Sequence, residues 1–392
     1  MSTLYQTVLA SRLSPPNAAR VYAYLAIAMY EATVPAFGGR RSLRGQLKEL
    51  GGSVPLPPDK VSWDAVVSAA ALQVTRRLLV DESQRRSIYA LHRAVVREQM
   101  DAGVPSDVLA ASDVYGRAVA HSVNAWIAGD GYEELVDLPY AYRIGVGLWE
   151  PTPGPLNMSG PVEPYWHQVR PMALRSAAEV EPDARPSYSR DPASEFHRQA
   201  TVVYETSRAL TDSQKAIATF WSDNPGPSGL PSGHWMMIVR QACEARSVSL
   251  GPALEAYAMA GIALHDSFVN CWTWKYRILT MRPVTYIRRY IDRSWETFVP
   301  TPMFPEHTSG HSVASAAAAK VLSRVLGDHP YRDDTHAVRD IPARYFQSFN
   351  QAAMEAARSR LYGGIHYPLA IEVGFRQGTS IGGLVLSRVR TR

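Results

Sequence analysis

Helical periodicity is the feature of this 392-residue sequence that limits its fold most strongly. Apolar residues recur at spacings of three and four in many segments, and no run of alternating apolar and polar residues predicts a strand. Ser14 followed by Pro15 and Pro16 is typical of a helix start, where the missing proline N–H costs nothing. The pattern therefore predicts an all-α fold with long loops. The predicted helices cover approximately residues 14–34, 62–80, 84–101, 106–127, 192–208, 212–222, 233–248, 252–274, 309–326, 342–359 and 369–388.

A long segment rich in proline, glycine and aromatic residues separates two groups of predicted helices. It spans approximately residues 128–190 and contains Trp149, Tyr165 and Trp166. Loops of this length in a compact domain usually serve a function or pack over the surface, so we expect a packed aromatic belt. We interpret the chain as one all-α domain over residues 1–392. Its parts are the N-terminal helices (1–127), the loop region (128–190) and a core bundle with the functional site (191–392).

The charge balance and the cysteines exclude several classes of protein. Lys and Arg total 41 and Asp and Glu total 36, which gives a formal charge of +5. This excess allows an anionic ligand but does not favour a nucleic-acid binder, which concentrates basic residues in a stripe. Cys243 and Cys271 lack any CxxC or Cys/His metal spacing, so a thiolate zinc site and a disulfide framework are excluded.

Hydropathy predicts no membrane insertion. The longest apolar candidate, residues 254–274, is interrupted by Glu255, His265 and Asp266, so we expect a soluble protein. Residues 1–10 lack a basic region followed by an apolar core and predict no signal peptide in this chain. An exported or periplasmic protein whose leader has been removed fits the same sequence. The compartment therefore stays open, as does assembly into a homo-oligomer.

The first of three polar blocks in the C-terminal third contains two cations. Lys275 and Arg282 are seven residues apart, and Pro283 follows. On one helix this spacing is two turns, which puts both cations on one face about 10 Å apart along the axis. Long side chains at that spacing can meet on one anion. The alternative is a solvated basic face of an amphipathic helix, with Pro283 ending the helix.

The second block combines a helix start with a histidine. Ser309 stands at a predicted helix N-cap, before Gly310 and His311. The free N–H groups and positive dipole of a helix N-terminus suit an oxyanion, and glycine allows close approach of the backbone. His311 is a candidate acid–base or ligand. The alternative is an ordinary capped helix with an exposed histidine.

The third block ends a helix with an arginine and continues to a second histidine. Arg360 offers two parallel N–H donors to an oxyanion, Gly363 and Gly364 interrupt the helix, and His366 follows on the turn. A lone histidine in this position is more often structural. The three blocks together, however, supply the cations, the helix N-terminus and the two imidazoles that a tetrahedral oxyanion needs.

In combination the blocks resemble the superfamily of type-2 phosphatidic acid phosphatases and vanadium-dependent haloperoxidases. The superfamily pattern is Lys, six residues, Arg-Pro; then Pro-Ser-Gly-His; then Ser-Arg, five residues, His. The blocks follow this order at residues 275–283, 308–311 and 359–366, with Thr308 where proline is usual. The resemblance implies an all-α helical bundle of the vanadium haloperoxidase and acid phosphatase type, with long Pro-rich loops. It also implies one site that holds vanadate as cofactor or phosphate in the same place.

The resemblance further implies the roles of the site residues. In a haloperoxidase, His366 coordinates vanadium and His311 is the acid–base, whereas in a phosphatase His366 attacks phosphorus and His311 protonates the leaving group. We define the oxyanion cage as the residues that would hold the anion, namely Lys275, Arg282, Ser309, Gly310, Arg360 and His366.

Two aromatic residues favour the haloperoxidase. Trp272 and Phe304 are similar in position to the halide-pocket Trp and Phe of the vanadium chloroperoxidases, although aromatics beside a buried site are often only core residues. The segment around Asp223 is similar to the family segment whose Asp orients the acid–base histidine. Asp223 is therefore the expected partner of His311, with Asp266 as the alternative.

One departure from the pattern disfavours a phosphatase. The superfamily usually places Asp four residues after the second histidine, where this sequence has Ala370, and Glu372 lies on a different helical face. We expect a backbone carbonyl to hold His366 instead, which favours a ligand role.

A second Pro-Ser-Gly-His, at residues 231–234, precedes the Lys275 block and is thus out of order for the superfamily. We predict that Ser232 caps the helix there and that His234 lies in its first turn, outside the cage.

The sequence therefore predicts a vanadate-dependent peroxidase that uses hydrogen peroxide and a halide. Iodide is the expected halide because it is the easiest to oxidise. Bromide and chloride stay open, and a small organic acceptor is a further candidate partner. The alternatives are an acid phosphatase that hydrolyses phosphate monoesters through a phospho-histidine, and a member that binds phosphate without redox turnover.

Overall fold

The computed structural model describes residues 1–11, 13–79, 81–152, 160–185 and 187–392, and most of these residues are helical. The all-α prediction is confirmed for this part of the chain, with one short antiparallel ribbon of two strands added. The helices are α1 (Ser2–Ser11), α2 (Pro15–Thr33), α3 (Trp63–Leu78), α4 (Glu82–Asp101), α5 (Ser106–Ala128), α6 (Tyr132–Leu135), α7 (Glu195–Arg208), α8 (Asp212–Phe220), α9 (Leu230–Ala245), α10 (Leu250–Ile278), α11 (Pro283–Tyr290), α12 (Gly310–Val325), α13 (Phe349–Tyr362) and α14 (Pro368–Arg388), and the strands are β1 (Tyr331–Asp333) and β2 (Arg344–Phe346).

Local capping signals explain where several helices begin. Ser14 accepts a hydrogen bond from the amide of Asn17 and caps α2, as the sequence predicts. Thr211 and Gln214 form a reciprocal capping box at the start of α8. These contacts satisfy first-turn amides that have no partner within the helix, so they fix the helix starts.

Close helix packing positions the elements that carry the site. Helix α10 is buried along most of its length and packs against α2, where a Cβ on Gly261 would lie 2.9 Å from the Cα of Ala23. On α14, a Cβ on Gly378 would lie 2.1 Å from the carbonyl oxygen of Val313 in α12. Backbone contact of this kind is open only to glycine, so α14 fixes the first turns of α12. One hydrophobic cluster joins α2 with α10 and α12.

The helix that carries Lys275 ends earlier than predicted. Helix α10 stops at Ile278, because Leu279 adopts the left-handed conformation and its carbonyl accepts a hydrogen bond from the amide of Trp149. Pro283 therefore begins α11 and does not end α10, and Arg282 is the N-cap residue of α11. The prediction that Lys275 and Arg282 share one helix face is wrong.

Two other predicted helix boundaries are also wrong. The helix predicted over 342–359 begins only at Phe349, capped by Ser348, because residues 344–346 pair with β1. Helix α9 begins at Leu230 with Gly229 as its N-cap, so Ser232 is not a cap.

The loop region packs closely against the helices. Trp149 and Trp166 are fully buried, which confirms the predicted aromatic belt, while residues 153–159 and 186 lie outside the described residues. The Asp266 carboxylate on α10 accepts hydrogen bonds from the backbone amides of residues 172–174. This carboxylate therefore anchors the loop. Cys243 and Cys271 are buried free thiols. In the described residues, every helix is too short or too polar to span a bilayer.

Candidate active site

Two cations of the oxyanion cage are held by the backbone of residues 304–306. Lys275, in the last turn of α10, donates from Nζ to the carbonyls of Pro305 and Glu306, each at 2.9 Å. Arg282 donates from Nε to the carbonyl of Phe304 and from Nη1 to that of Ile365, each at 2.9 Å. The two cations thus converge across a turn and not along one helix.

The third cation comes from the end of α13. Arg360 donates from Nη2 to the carbonyl of Trp221 at 2.5 Å and from Nε to the hydroxyl of Ser359 at 2.9 Å. Lys275, Arg282 and Arg360 are all buried. Burial lowers the pKa of Lys275 to about 7 and those of the two arginines to about 10.

These three cations lack a direct counter-ion. Within the described residues, no carboxylate oxygen lies within 4.0 Å of their nitrogen atoms, and Nη2 of Arg282 has no hydrogen-bond partner. Burying charge without a partner is costly, so the arrangement favours a bound anion. An anion would also raise the pKa of Lys275 back toward its ordinary value.

The start of α12 supplies the uncharged part of the cage. Ser309 is the N-cap residue, as predicted, and its side chain accepts from the amide of Ser312. Gly310 begins the helix, and a Cβ there would lie 3.5 Å from the ring of Trp272. The first-turn amides and the dipole of this helix point their positive end toward the cavity described below.

His366 is fixed in one tautomer. Its Nδ1 lies 2.8 Å from Oε1 of Glu306, and its Nε2 lies 3.2 Å from Nη1 of Arg282. Because arginine can only donate, Nε2 must be the unprotonated nitrogen, and Nδ1 then donates to the carboxylate. Burial, reinforced by Arg282, Lys275 and Arg360, holds the pKa of His366 well below its usual range, so the imidazole is neutral.

Glu306 corrects the expectation about how His366 is oriented. We predicted a backbone carbonyl because Ala370 stands where an Asp is usual, but the carboxylate comes from residue 306 instead. The amide of Tyr367 also donates to this oxygen, at 3.0 Å. Glu306 stands three residues before Ser309, so its place beside the second block is the signal that could have identified it.

His311 lies near Asp223 without a hydrogen bond to it. Its Nε2 is 3.9 Å from Oδ2 of Asp223 and has no hydrogen-bond partner within the described residues. Burial, followed by the charge of Arg360, lowers the pKa of His311 well below its usual range. Asp266, the alternative partner, is occupied by the three loop amides.

A cavity of about 40 Å³ brings some of these groups together, whereas Lys275, Arg282 and Ser309 are not among its lining residues. Trp272 and Phe304 form one wall, with ring centroids 4.8 Å apart. The indole N–H of Trp272 is already occupied, because it donates to the carbonyl of Val162. The candidate site residues that line the cavity are Asp223, Trp272, Phe304, Gly310, His311, Arg360 and His366.

A buried cluster of aspartates and histidines lies behind His311 and was not predicted from the sequence. Asp223 contacts His234 and His336, and His234 also contacts Asp333. The ligand atoms of Asp223, His234 and His336 lie within 4.8 Å of one another, which is compatible with a metal ion. Both ring nitrogens of His234, however, face carboxylates. The residues that contact Asp223 come from distant segments of the sequence. The only sequence feature that could have indicated them is the second Ser-Gly-His, at residues 232–234.

The cage fits a tetrahedral oxyanion such as vanadate. Nη2 of Arg282 and Nε2 of His311 are buried nitrogens without partners within the described residues. The one lone pair on Nε2 of His366 accepts from Nη1 of Arg282, and coordination of an anion would replace this hydrogen bond. The three cations also lack direct counter-ions. An oxyanion would satisfy these groups together.

Comparison with known proteins agrees with this geometry. The crystal structure of a bacterial vanadium-dependent iodoperoxidase superimposes with a TM-score of 0.92 at 35% sequence identity, over 100% of this chain and 95% of that chain. A holo-type bacterial vanadium-dependent chloroperoxidase aligns with a TM-score of 0.71 at 16% identity, over 96% of this chain and 92% of that chain. An apo-type structure of a bacterial vanadium-dependent chloroperoxidase gives the same TM-score and identity, over 98% of this chain and 96% of that chain. Both share the fold.

A family model described as the VCPO second helical-bundle domain matches residues 255–392, which contain all three motif blocks. Comparison with curated protein sequences gave no match. With 35% identity to the iodoperoxidase over all of this chain and 95% of that chain, the protein belongs to the family of vanadium-dependent haloperoxidases.

Proposed function

We propose that the protein is a vanadate-dependent peroxidase that oxidises iodide with hydrogen peroxide to hypoiodous acid. The observation that carries the proposal is the set of three buried cations without carboxylate partners, arranged with a neutral His366 beside a small cavity. The 35% identity to a bacterial iodoperoxidase supports iodide as the halide. Bromide and chloride are further candidates, and a small organic acceptor would consume the hypohalous acid.

Each cage residue has a separate task in this proposal. His366 would coordinate vanadium through Nε2, since Nδ1 is held by Glu306. The positive side chains would neutralise the vanadate oxygens, and the helix start at Ser309 and Gly310 would donate hydrogen bonds to them. When bound, vanadate supplies a Lewis acid that activates peroxide toward halide without a change of oxidation state.

His311 would move the proton. It lines the cavity, its Nε2 has no partner within the described residues, and its low pKa keeps the imidazole neutral, so that its unprotonated ring nitrogen can accept a proton from hydrogen peroxide. The nearby Asp223 carboxylate would stabilise the resulting imidazolium. Trp272 and Phe304 would exclude water from the place where the halide approaches.

A second candidate function is phosphate monoester hydrolysis. The contact between Glu306 and His366 favours it, because a carboxylate on Nδ1 also makes Nε2 a better nucleophile. His366 would then attack phosphorus, and His311 would protonate the leaving alcohol.

Two assays on the same metal-stripped protein distinguish the peroxidase from the phosphatase. Iodide and bromide oxidation with hydrogen peroxide is measured before and after addition of orthovanadate, and aryl phosphate hydrolysis is measured without it. We expect iodide oxidation only with vanadate, lost in His366→Ala and kept in His121→Ala, which changes an exposed histidine of α5. Phosphate hydrolysis that vanadate inhibits, without halide oxidation, would establish the phosphatase instead.

A further inference from the structure

The second Ser-Gly-His sequence, at residues 232–234, places a histidine directly behind the cavity. His234 lies in the first turn of α9, is fully buried and does not line the cavity. Close packing explains the glycine at position 233, because a Cβ there would lie 2.4 Å from the hydroxyl of Tyr22. The motif is therefore used a second time, but outside the oxyanion cage.

The imidazole of His234 bridges two buried carboxylates. Its Nδ1 lies 3.0 Å from Oδ2 of Asp223, and its Nε2 lies 2.9 Å from Oδ2 of Asp333. Asp333 also accepts from the amide and hydroxyl of Thr335. Trp221 stacks on the ring with centroids 4.4 Å apart. The two hydrogen bonds therefore fix the orientation of the imidazole within its plane, and the indole of Trp221 packs against one of its faces.

The contacts point to a charged bridge. When Asp223 and Asp333 are both ionised, each can only accept a hydrogen bond, so both ring nitrogens must donate, which only the imidazolium form can do. Burial alone would raise the pKa of both carboxyl groups, but the facing His234 outweighs it and holds both below their usual range. His234 is thus the cation that balances Asp223, since no Lys or Arg nitrogen lies within 4.0 Å of that carboxylate in the described residues. The other charged or titratable groups near the bridge are Tyr5, Tyr22, His311, Tyr331, His336, Arg339 and Arg360.

The same oxygen connects the bridge to the cavity. Oδ2 of Asp223 contacts His234 on one side and lies 3.9 Å from Nε2 of His311 on the other. Asp223 has a φ of 39°, which is uncommon for a residue with a side chain. A strained backbone persists only where its surroundings hold it, and the hydrogen bonds from His234 do so.

We propose that His234 is a positioning residue that acts on His311 through Asp223. As an imidazolium it keeps Asp223 ionised and directs Oδ2 toward His311, so that positive charge gained by His311 meets a fixed negative charge. This inference rests on the proposed function for the role of His311. A metal ion at Asp223, His234 and His336 is the competing explanation, and it would require Nδ1 of His234 to lose its proton and its bond to Asp223.

The first test examines the protonation of His234 without reference to activity. Wild-type protein labelled with ¹⁵N-histidine is studied by NMR at pH 8.5, where an ordinary histidine, with a pKa of about 6.5, is neutral. We expect one imidazole with both nitrogens protonated, whose signal is lost in His234→Gln and shifted in Asp333→Asn. A neutral His234, or a stoichiometric metal that is lost in His234→Gln, would overturn the proposal. Because the main spectrum is of wild-type protein, it is informative even if His234→Gln folds poorly.

The second test separates positioning from structural support. In vanadate-loaded His234→Gln we expect kcat for iodide oxidation to fall about 10- to 100-fold, the usual range for an outer-shell partner. The KM values and the vanadate Kd should change less than about threefold, since the cage is untouched. The control is Ser232→Ala, whose hydroxyl has no partner among the described residues, and it should match wild type.

The outcomes distinguish this inference from the proposed function. An unchanged kcat in folded His234→Gln overturns the positioning role, as does a parallel loss of kcat, vanadate affinity and thermal stability. If the wild type oxidises no halide, the proposed function fails first. The same variants are then compared in aryl phosphate hydrolysis, where His311 would supply the leaving-group proton. Failure of both activities overturns the positioning role as well.

Discussion

Replacing Glu306 with glutamine changes one feature of the site, the charge behind His366. The carboxylate accepts from Nδ1 of His366 at 2.8 Å and from the amide of Tyr367 at 3.0 Å. Glutamine has nearly the same shape and keeps an acceptor oxygen. The variant therefore keeps the packing but loses the charge-assisted hydrogen bond that holds Nε2 ready for coordination.

Two effects of opposite sign act on anion binding in Glu306→Gln. Loss of the charge-assisted hydrogen bond to a metal ligand weakens coordination by about 10- to 100-fold, or about 1.4–2.8 kcal/mol. Loss of the negative charge makes the cage more positive, which strengthens binding of every oxyanion. The second effect acts on vanadate and phosphate alike. The ratio of phosphate Kd to vanadate Kd therefore isolates the first, because only vanadate coordinates His366 in the proposed site.

The expected result is that this ratio falls about 10- to 100-fold in Glu306→Gln. Calorimetric titration of metal-stripped protein with orthovanadate and with inorganic phosphate at pH 8 measures both constants. The matched control is Glu372→Gln, which makes the same change at an exposed position of α14. A ratio equal to that of wild type would show that Glu306 does not affect coordination through His366. The hydrogen bond from Nδ1 of His366 to Glu306 would then have no effect on anion binding.

Three further predictions concern stability. Burial lowers the pKa of His234, but Asp223 and Asp333 outweigh it and raise the value to about 10, above about 6.5 in an unfolded chain. The free energy of unfolding of wild type should therefore exceed that of His234→Gln most near pH 6, and this difference should shrink toward pH 10. Urea unfolding measures it, and a difference that does not change with pH would contradict the imidazolium. Inorganic phosphate at about 100 times its Kd should stabilise the stripped protein by about 2.7 kcal/mol, which calorimetric melting would detect, and an unshifted Tm would show that the cage does not bind oxyanions. Gly378→Ala should destabilise by about 3 kcal/mol or more against the carbonyl of Val313, whereas Gly383→Ala, in open space, should stabilise by about 0.5–1 kcal/mol; equal effects in urea unfolding would refute the packing argument.

The oxyanion cage could be predicted because its residues occur in short local blocks. Ser309, Gly310 and His311 are neighbours in sequence, and a helix start is a local property that capping residues reveal. The order and spacing of the blocks then gave the resemblance, and comparison with the iodoperoxidase confirms the family. The fold class was accessible for the same reason, since helical periodicity is set within each segment.

The errors occur where a distant contact decides the structure. Helix α10 ends at Ile278 because the carbonyl of Leu279 accepts from Trp149, which is far away in sequence. Residues 344–346 form a strand because β1 pairs with them. Glu306 meets His366 across 60 residues, and His234 meets Asp333 across 99 residues. Such pairs depend on tertiary packing, which periodicity and spacing do not encode.

The two cavity histidines differ in how they are held, and this difference supports their separate roles. Each imidazole has a carboxylate nearby, but Glu306 hydrogen-bonds His366 at 2.8 Å, whereas Asp223 lies 3.9 Å from His311. A ligand or nucleophile must present one lone pair in a fixed direction, and His366 satisfies this condition at Nε2. An acid–base must gain and lose a proton next to the reactants, and His311 lines the cavity with no hydrogen bond on its Nε2 within the described residues. The bridge through His234 keeps Asp223 charged without tying it to His311, so the negative charge would act when His311 becomes protonated.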